Sequence, residues 1–297
     1  MPEPQVISPT RARFAVRDYD LAATLDSGQA FRWQRGGETW EGIVAGRWVS
    51  LRQDADGILA QTAIAVEDWR WLANYLQSDL DLESVLQTFP DDEPMRTAMA
   101  GCRGLRLLRQ EPWECLASFI LSSTKQIVQI RQIVTHLCER FGEPVPHGRE
   151  EALPVFSFPS ATRLASLSER DLRDCKMGFR APYLLGSAQK IVAGEINLKA
   201  LRELPVETAR AELMNLPGVG RKIADCVLLF AYGFPGAFPV DVWVMKALQQ
   251  LYFPKRRASL KRLHRFAATH FGPHSGYAQQ YLFHYMRTKR NLPRGTK

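Results

Sequence analysis

The sequence predicts an α+β protein, with an N-terminal antiparallel β-sheet and flanking helices followed by a mostly α-helical region. Three observations lead there. Between residues 29 and 64, four short runs alternate apolar and polar side chains and are separated by turn residues, the pattern of an antiparallel meander. From Val66 the apolar residues take up helical spacing, and from Glu111 that spacing holds almost throughout. One tight break, Leu216-Pro217-Gly218-Val219-Gly220, separates two apolar helices.

In chain order, the predicted strands are QAFRWQ, TWEGIVA, RWVSLRQ and GILAQTAI, divided by Gly36-Gly37, by Gly46 and by Asp54–Gly57. Phe31, Trp33, Trp40 and Trp48 give them bulky faces. EDWRWLANYLQ, DLESVLQTF and DDEPMRTAMAG then read as helices, with Pro94 in a first turn where its missing N–H costs nothing. Gly101–Gly104 marks a junction, so we expect a β-rich domain over 1–105 and a helical one over 106–297. PWECLASFILSS and QIVQIRQIVTHLCERFG form a helix pair broken near Ser122–Thr124 and closed by Gly142 and Pro144. EEALPVFSFP is a Pro-rich loop. Ser168 and Asp171 form a capping box for a short helix ending at Gly178. Pro182 opens the next helix, the 206–216 and 242–252 helices flank the hairpin segment, and two more helices close the chain.

With 297 residues the chain can bury a large core in two or three packed units. A net charge of +8 favours a polyanionic partner. Basic residues cluster at Lys255-Arg256-Arg257 and Lys261-Arg262, and again at Arg287, Lys289, Arg290, Arg294 and Lys297. No apolar run approaches the roughly 20 residues of a membrane span. The N-terminal MPEPQVISPTRARF lacks a secretory apolar region, which points to an intracellular protein. That means cytoplasm or nucleoid in a bacterium, nucleus or mitochondrion in a eukaryote. The cysteines (Cys102, Cys115, Cys138, Cys175 and Cys226) are odd in number and form no CxxC pair, so neither disulfides nor a metal knuckle is expected.

The break carries the chemistry. Pro217 donates no hydrogen bond, and Gly218 and Gly220 permit positive φ, so the hairpin can be tight. The following helix start then presents unpaired N–H groups, a natural site for a phosphodiester. Lys222 lies on that first turn. Nineteen residues later Asp241 follows Pro239-Val240 as the N-cap of another apolar helix. LPGVG alone would equally serve as a turn between two core helices, with a surface lysine and a structural cap nearby. A lysine in the first turn opposes the helix dipole, however, and that mismatch favours a functional role.

The segment from Leu213 to Leu248, with its loop Gly233-Phe234-Pro235-Gly236-Ala237-Phe238-Pro239-Val240-Asp241, resembles the signature of the helix-hairpin-helix glycosylase superfamily. Four further stretches resemble the 8-oxoguanine DNA glycosylase family. Ser27-Gly28-Gln29-Ala30-Phe31-Arg32-Trp33 is similar to its SGQ(S/A)FRW motif, and EPWECLASFILSS to the first helix of its helical domain. Gly178-Phe179-Arg180-Ala181-Pro182-Tyr183 is similar to its GYRARY segment, and Gly276–Phe283 to its GWAQ…LF motif. The likeness runs in the same order along nearly the whole chain.

The resemblance implies a base-excision-repair DNA glycosylase with AP lyase activity that flips 8-oxoguanine out of duplex DNA and removes it, formamidopyrimidine lesions being further substrates. Lys222 would attack C1′ and form a Schiff base, with strand cutting by β-elimination, and Asp241 would stabilise the departing sugar's positive charge. The Gly28 carbonyl would accept the lesion's N7–H, Cys226 and Phe283 would sandwich the base, and Gln279 would read its pairing edge. Gly218, Val219, Gly220, Thr124, Phe179 and Arg180 would contact DNA. An ion on the carbonyls of Met214, Leu216 and Val219 would aid phosphate binding, but no metal is required for the chemistry. Some relatives carry a four-cysteine iron–sulfur loop after the aspartate; no cysteine follows Cys226 here, so no cofactor is expected. The partner would be duplex DNA containing an oxidised guanine, with the protein a monomer and no membrane involved.

Four departures stand out. Thr124-Lys125-Gln126 replaces asparagines of the family, and Gln129 replaces an arginine that reads the orphaned cytosine, with Arg131 close by. Phe179 replaces a wedge tyrosine, and Trp243 a histidine after the aspartate. The expectation is relaxed discrimination for the opposite base. Two rival readings remain. One is a monofunctional alkylated-base glycosylase using the aspartate alone, against which Lys222 argues. The other is a non-catalytic helix-hairpin-helix DNA-binding protein. By composition alone, Cys226 and Phe283 would suit an ordinary core.

Overall fold

The computed structural model describes residues 3–123, 126–148, 153–255 and 257–291, with side chains described through Thr288. Thr124, Lys125, Arg256, Arg294 and Lys297, and the side chains of Lys289 and Arg290, lie outside the described residues.

Six strands, β1 (Gln5–Ser8), β2 (Arg11–Phe14), β3 (Gln34–Gly36), β4 (Thr39–Val44), β5 (Arg47–Asp54) and β6 (Gly57–Thr62), form one antiparallel sheet in the order β1-β2-β6-β5-β4-β3. Alternation aims Ala12, Phe14, Val49, Leu51, Ile58 and Ala60 into one core, which α2 (Arg70–Leu76) covers with Leu72 and Leu76. Gly42 is required on β4: a Cβ there would lie 2.7 Å from the Trp33 ring, which packs across the strand. The Trp33 indole donates to Tyr75 Oη at 2.8 Å.

Two details differ from the sequence reading. The QAFRW run is not a strand; pairing starts only at Gln34. The Gln29 side chain ties the run to neighbouring segments in place of a ladder. Gln29 Nε2 donates to the carbonyls of Thr24 (2.9 Å) and Arg106 (2.8 Å), and Gln29 Oε1 accepts from Leu108 N (2.8 Å). In its place β1 and β2, four residues each, extend the far edge. Such strands are too short for alternation to reveal. Similarly, Pro144–Val145 (β7) and Val155–Phe156 (β8) pair within a stretch expected to be loop.

The remaining helices are α1 (Leu21–Asp26), α3 (Leu82–Leu86), α4 (Glu93–Gly101), α5 (Pro112–Leu121), α6 (Ile127–Phe141), α7 (Ala161–Ala165), α8 (Glu169–Leu172), α9 (Ala181–Val192), α10 (Val206–Met214), α11 (Arg221–Val227), α12 (Val242–Leu251), α13 (Leu260–His270) and α14 (Ser275–Asn291). Pro94 and Pro182 sit in first turns, and the Ser168–Asp171 capping box forms. The break after α5 and the stop at Gly142 fall where the spacing placed them. From Leu82 onward most of the buried side chains share one core, which includes Leu82, Val85, Met95 and Ala98, so α3 and α4 pack with the helices rather than with the sheet; Leu108 joins the sheet core. The C-terminal α14 returns against α4 and α12. No helix among the described residues is long and apolar enough to cross a membrane.

The hairpin joins α10 to α11. Gly218 has φ +74°, and a Cβ there would fall 2.7 Å from the Tyr183 ring that lies against it. Beneath the turn, Arg210 Nε meets Asp225 Oδ1 at 2.6 Å, with both side chains buried, and Glu207 completes the cluster. This buried pair ties α10 to α11 across the hairpin. Arg210→Met would leave the Asp225 carboxylate with Arg221 alone, at 3.7 Å. We expect urea unfolding to show a loss of about 3–5 kcal/mol. Adding Asp225→Asn to that variant should recover most of it, because the uncompensated charge is then gone.

Candidate active site

A cavity of about 710 Å³ opens between α5, α6, α11, α12, α14 and the Ser27–Gln29 loop. It gathers residues from distant parts of the chain: Gly28, Lys222, Cys226, Asp241, Gln279 and Phe283 all line it. Lys222 and Cys226 lie one turn apart on α11, so both face the cavity. Gln279 and Phe283 have the same spacing on α14.

The Lys222 ammonium donates to Ser122 Oγ at 3.0 Å and sits 5.3 Å from the centroid of the Phe119 ring. Both partners come from α5 and its C-terminal turn, which holds a long side chain in one place. Asp241 caps α12 and accepts from Val244 N at 2.7 Å. Burial pushes its carboxyl above the usual carboxylate range, against the pull of the Val244 amide and the Lys222 charge. A partly desolvated carboxylate therefore faces the same space as a positioned amine.

The walls suit a flat heterocycle. Cys226 is buried, and burial pushes its thiol up to about 12, so it stays protonated and acts as a soft apolar wall. Phe283 is half-buried and supplies a ring face. Gln279 is only 3% exposed, yet its Oε1 has no hydrogen-bond partner. An unpaired buried acceptor is costly, so a donor from a ligand would relieve it.

Gly28 has φ +80° and tight surroundings: a Cβ would lie 2.7 Å from Ile127 Cδ1. The carbonyls on either side of it are bonded. Ser27 O accepts from Gln280 Nε2 at 3.1 Å, and Gln29 O accepts from Gln110 Nε2 at 2.7 Å. These bonds fix the loop and leave the glycine at the cavity wall.

The other expected DNA contacts among the described residues lie outside this cavity. Phe179 is 53% exposed in a short turn after Gly178, with Tyr183 edge-on at 6.3 Å. Arg180 is buried; its guanidinium lies 4.2 Å from the Phe179 ring centroid and donates to Met177 O at 3.3 Å. Gly218, Val219 and Gly220 form the hairpin turn, where Leu216 O accepts from Val219 N at 3.2 Å. The Leu216 carbonyl, expected to hold an ion together with those of Met214 and Val219, is the one engaged in this turn bond. Among the described residues no cluster of His, Cys, Asp or Glu could hold a metal.

Sequence reading missed Ser122 and Phe119 as holders of the amine, and Asp26 and Arg287 as part of the cavity wall. The paired serines stood next to a recognised motif and could have been found; nothing in the sequence singles out Asp26. Gln129 Oε1 accepts from Gln126 N at 3.1 Å and so caps α6. Arg131 Nη2 is tied to Asp26 Oδ1 at 2.8 Å.

Comparison with known proteins agrees along the chain. Residues 11–116 match the family described as 8-oxoguanine DNA glycosylase, N-terminal domain, and residues 117–271 match the HhH-GPD superfamily base excision DNA repair protein family. The chain is 31% identical to the N-glycosylase/DNA lyase OGG1 of Arabidopsis thaliana, over 89% of this chain and 76% of that one. It superposes on the structure of MBOgg1 in complex with a low affinity DNA ligand with a TM-score of 0.91 at 31% identity, covering 98% of this chain and 100% of that one. For the Clostridium acetobutylicum 8-oxoguanine glycosylase/lyase, in complex with duplex DNA containing cytosine opposite 8-oxoG, the TM-score is 0.88 at 32% identity, covering 94% and 95%.

Proposed function

The chain belongs to the 8-oxoguanine DNA glycosylase family of the helix-hairpin-helix superfamily, and from that premise we propose that it excises 8-oxoguanine from duplex DNA and cuts the strand through Lys222. The observation that carries this reading is the single cavity shared by the Lys222 amine, the Asp241 carboxylate and four walls suited to one flat base.

A base within a duplex is out of reach, so the nucleotide must first be flipped, at a cost of about a few kcal/mol. The exposed Phe179 ring, backed by the Arg180 guanidinium, would fill the vacated stack. The N–H of Gly220 and the first N–H groups of α11 would take the backbone phosphate. In the cavity, the lesion's N7–H would meet the Gly28 carbonyl, its faces Cys226 and Phe283, and its N–H donors the unpaired Gln279 Oε1. Guanine offers an acceptor at N7, which the same carbonyl repels.

Lys222 attacks C1′ through the lone pair of its unprotonated amine. As the C1′–N9 bond breaks, the Asp241 carboxylate stabilises the positive charge on the sugar. The lysine nitrogen then forms a Schiff base with the opened sugar, a proton leaves C2′, and the 3′-phosphate departs. One copy of the chain, acting inside the cell on damaged duplex DNA, suffices for these steps. Single-turnover nicking of a duplex with one 8-oxoguanine, against an undamaged control, tests the reading. Equal cutting of both, or of neither, rejects it.

We also propose that the base opposite the lesion is read weakly. Gln129 Oε1 is engaged in capping α6 and Arg131 Nη2 is held by Asp26, so both side chains are already tied to other groups. Excision rates with the lesion opposite each of the four bases should fall within about tenfold, since a bidentate contact that discriminates is worth about 1–3 kcal/mol. A preference for cytosine well above that would contradict it.

A further inference from the structure

One strongly polar group in the cavity wall has no role in the mechanism above. Arg287 lies on α14, one turn beyond Phe283, and lines the cavity. Its Nη2 donates to the Asp26 carbonyl and lies 3.3 Å from Asp26 Oδ2. Asp26 is held in turn by Arg131 at 2.8 Å. The second terminal nitrogen, Nη1, is buried and has no hydrogen-bond partner. It sits 3.0 Å from where a Cβ on Gly28 would be, with Phe283 Cε1 at 3.4 Å from the same point. A guanidinium anchored at one end and unsatisfied at the other is a donor awaiting an acceptor.

The order of residues along α14 indicates which acceptor. Gln279, Phe283 and Arg287 follow one another at four-residue intervals, so they form a row on one face about 12 Å long. With the ring of a purine over Phe283 and its pairing edge toward Gln279, its five-membered ring points to the other end of the row. There Gly28 and Arg287 stand side by side, one offering a carbonyl and the other an N–H. On an oxidised guanine that end carries N7–H and the 8-oxygen, a donor beside an acceptor.

We propose that Arg287 is a specificity-determining residue that donates a hydrogen bond from Nη1 to the 8-oxygen of the flipped lesion. This rests on the proposed excision of 8-oxoguanine. Guanine presents a C–H at the same place and leaves Nη1 unsatisfied in a closed pocket, so Arg287 adds to the discrimination that Gly28 begins. Asp26 positions the guanidinium by occupying its other nitrogen.

The test compares duplexes carrying 8-oxoguanine or 8-thioguanine, which keeps N7–H but replaces the oxygen with a poor acceptor. Single-turnover excision is measured for the wild type, Arg287→Met and Arg287→Gln, with folding checked by circular dichroism. The wild type should prefer the oxygen lesion, and the preference should fall by about ten- to a hundredfold in Arg287→Met, the range for one hydrogen bond from a charged donor. Arg287→Gln, which keeps a neutral donor, should lie between. If Arg287 merely pins the Gly28 loop, both substrates slow equally and the proposal is overturned. A wild type that cuts the two lesions equally well overturns it too, whatever the variants do. Cleavage of a preformed abasic site by the wild type separates the two failures: if that is absent, the lyase reading falls as well.

Discussion

Lys222→Gln should bind a lesion-containing duplex nearly as well as the wild type and fail to cut it. Glutamine is one atom shorter but stays polar, so the cavity largely keeps its shape, while an amide nitrogen is no nucleophile. Loss of a nucleophile typically lowers turnover by about 10⁴-fold or more. Affinity depends mainly on phosphate contacts made by other groups, and we expect it to change by less than about tenfold. The variant should be equally inert on a preformed abasic site, because β-elimination needs the same Schiff base. Gel-resolved nicking and fluorescence anisotropy, run on the same preparations, measure both. Retained nicking would remove Lys222 from the mechanism.

The second large effect separates activity from stability. Asp241→Asn should lower base excision by about 10²–10⁴-fold, the range for removing one positioned charge or acid–base group from a transition state. It should not lower the melting temperature at pH 7. Asparagine caps a helix as well as aspartate does, so the bond from Val244 N survives. Burial holds the Asp241 carboxyl above its ordinary value of 3.8. A folded pKa raised above the unfolded one means stability that is complete below the unfolded value and is lost as pH rises through the folded value. At neutral pH the wild type therefore carries an unfavourable buried charge that the variant lacks. Melting curves should place the variant level with or above the wild type at pH 7, with the gap closing in acid. A clear drop in melting temperature at pH 7 would show that the carboxylate serves the fold rather than the reaction.

The residues that sequence reading placed well lie close together in the chain or in recognisable local motifs. Lys222 and Asp241 belong to one continuous segment, and Asp241 was identifiable as a cap because capping is a local property. The same holds for the Ser168–Asp171 box and for Pro94 and Pro182. What stayed hidden depends on meetings between distant residues. Ser122 holds an amine 100 residues away, and Asp26 accepts from an arginine 261 residues away. Periodicity carries no information about such pairs. The QAFRW run was misread for a related reason: an extended segment with alternate buried side chains looks like a strand in sequence whether or not a neighbour pairs with it. Here Gln110 bonds to the Gln29 carbonyl, and the Gln29 side chain ties the run to Thr24.

The central claim is that the ε-amine of Lys222 bonds to C1′ of the damaged nucleotide, and borohydride trapping reads that bond directly. The protein is incubated with an 8-oxoguanine duplex in the presence of sodium borohydride, and the covalent product is digested and mapped by mass spectrometry. We predict one protein–DNA adduct, absent on undamaged DNA, carried by the peptide that contains Lys222. An adduct on another residue, or base release with no adduct at all, would contradict it.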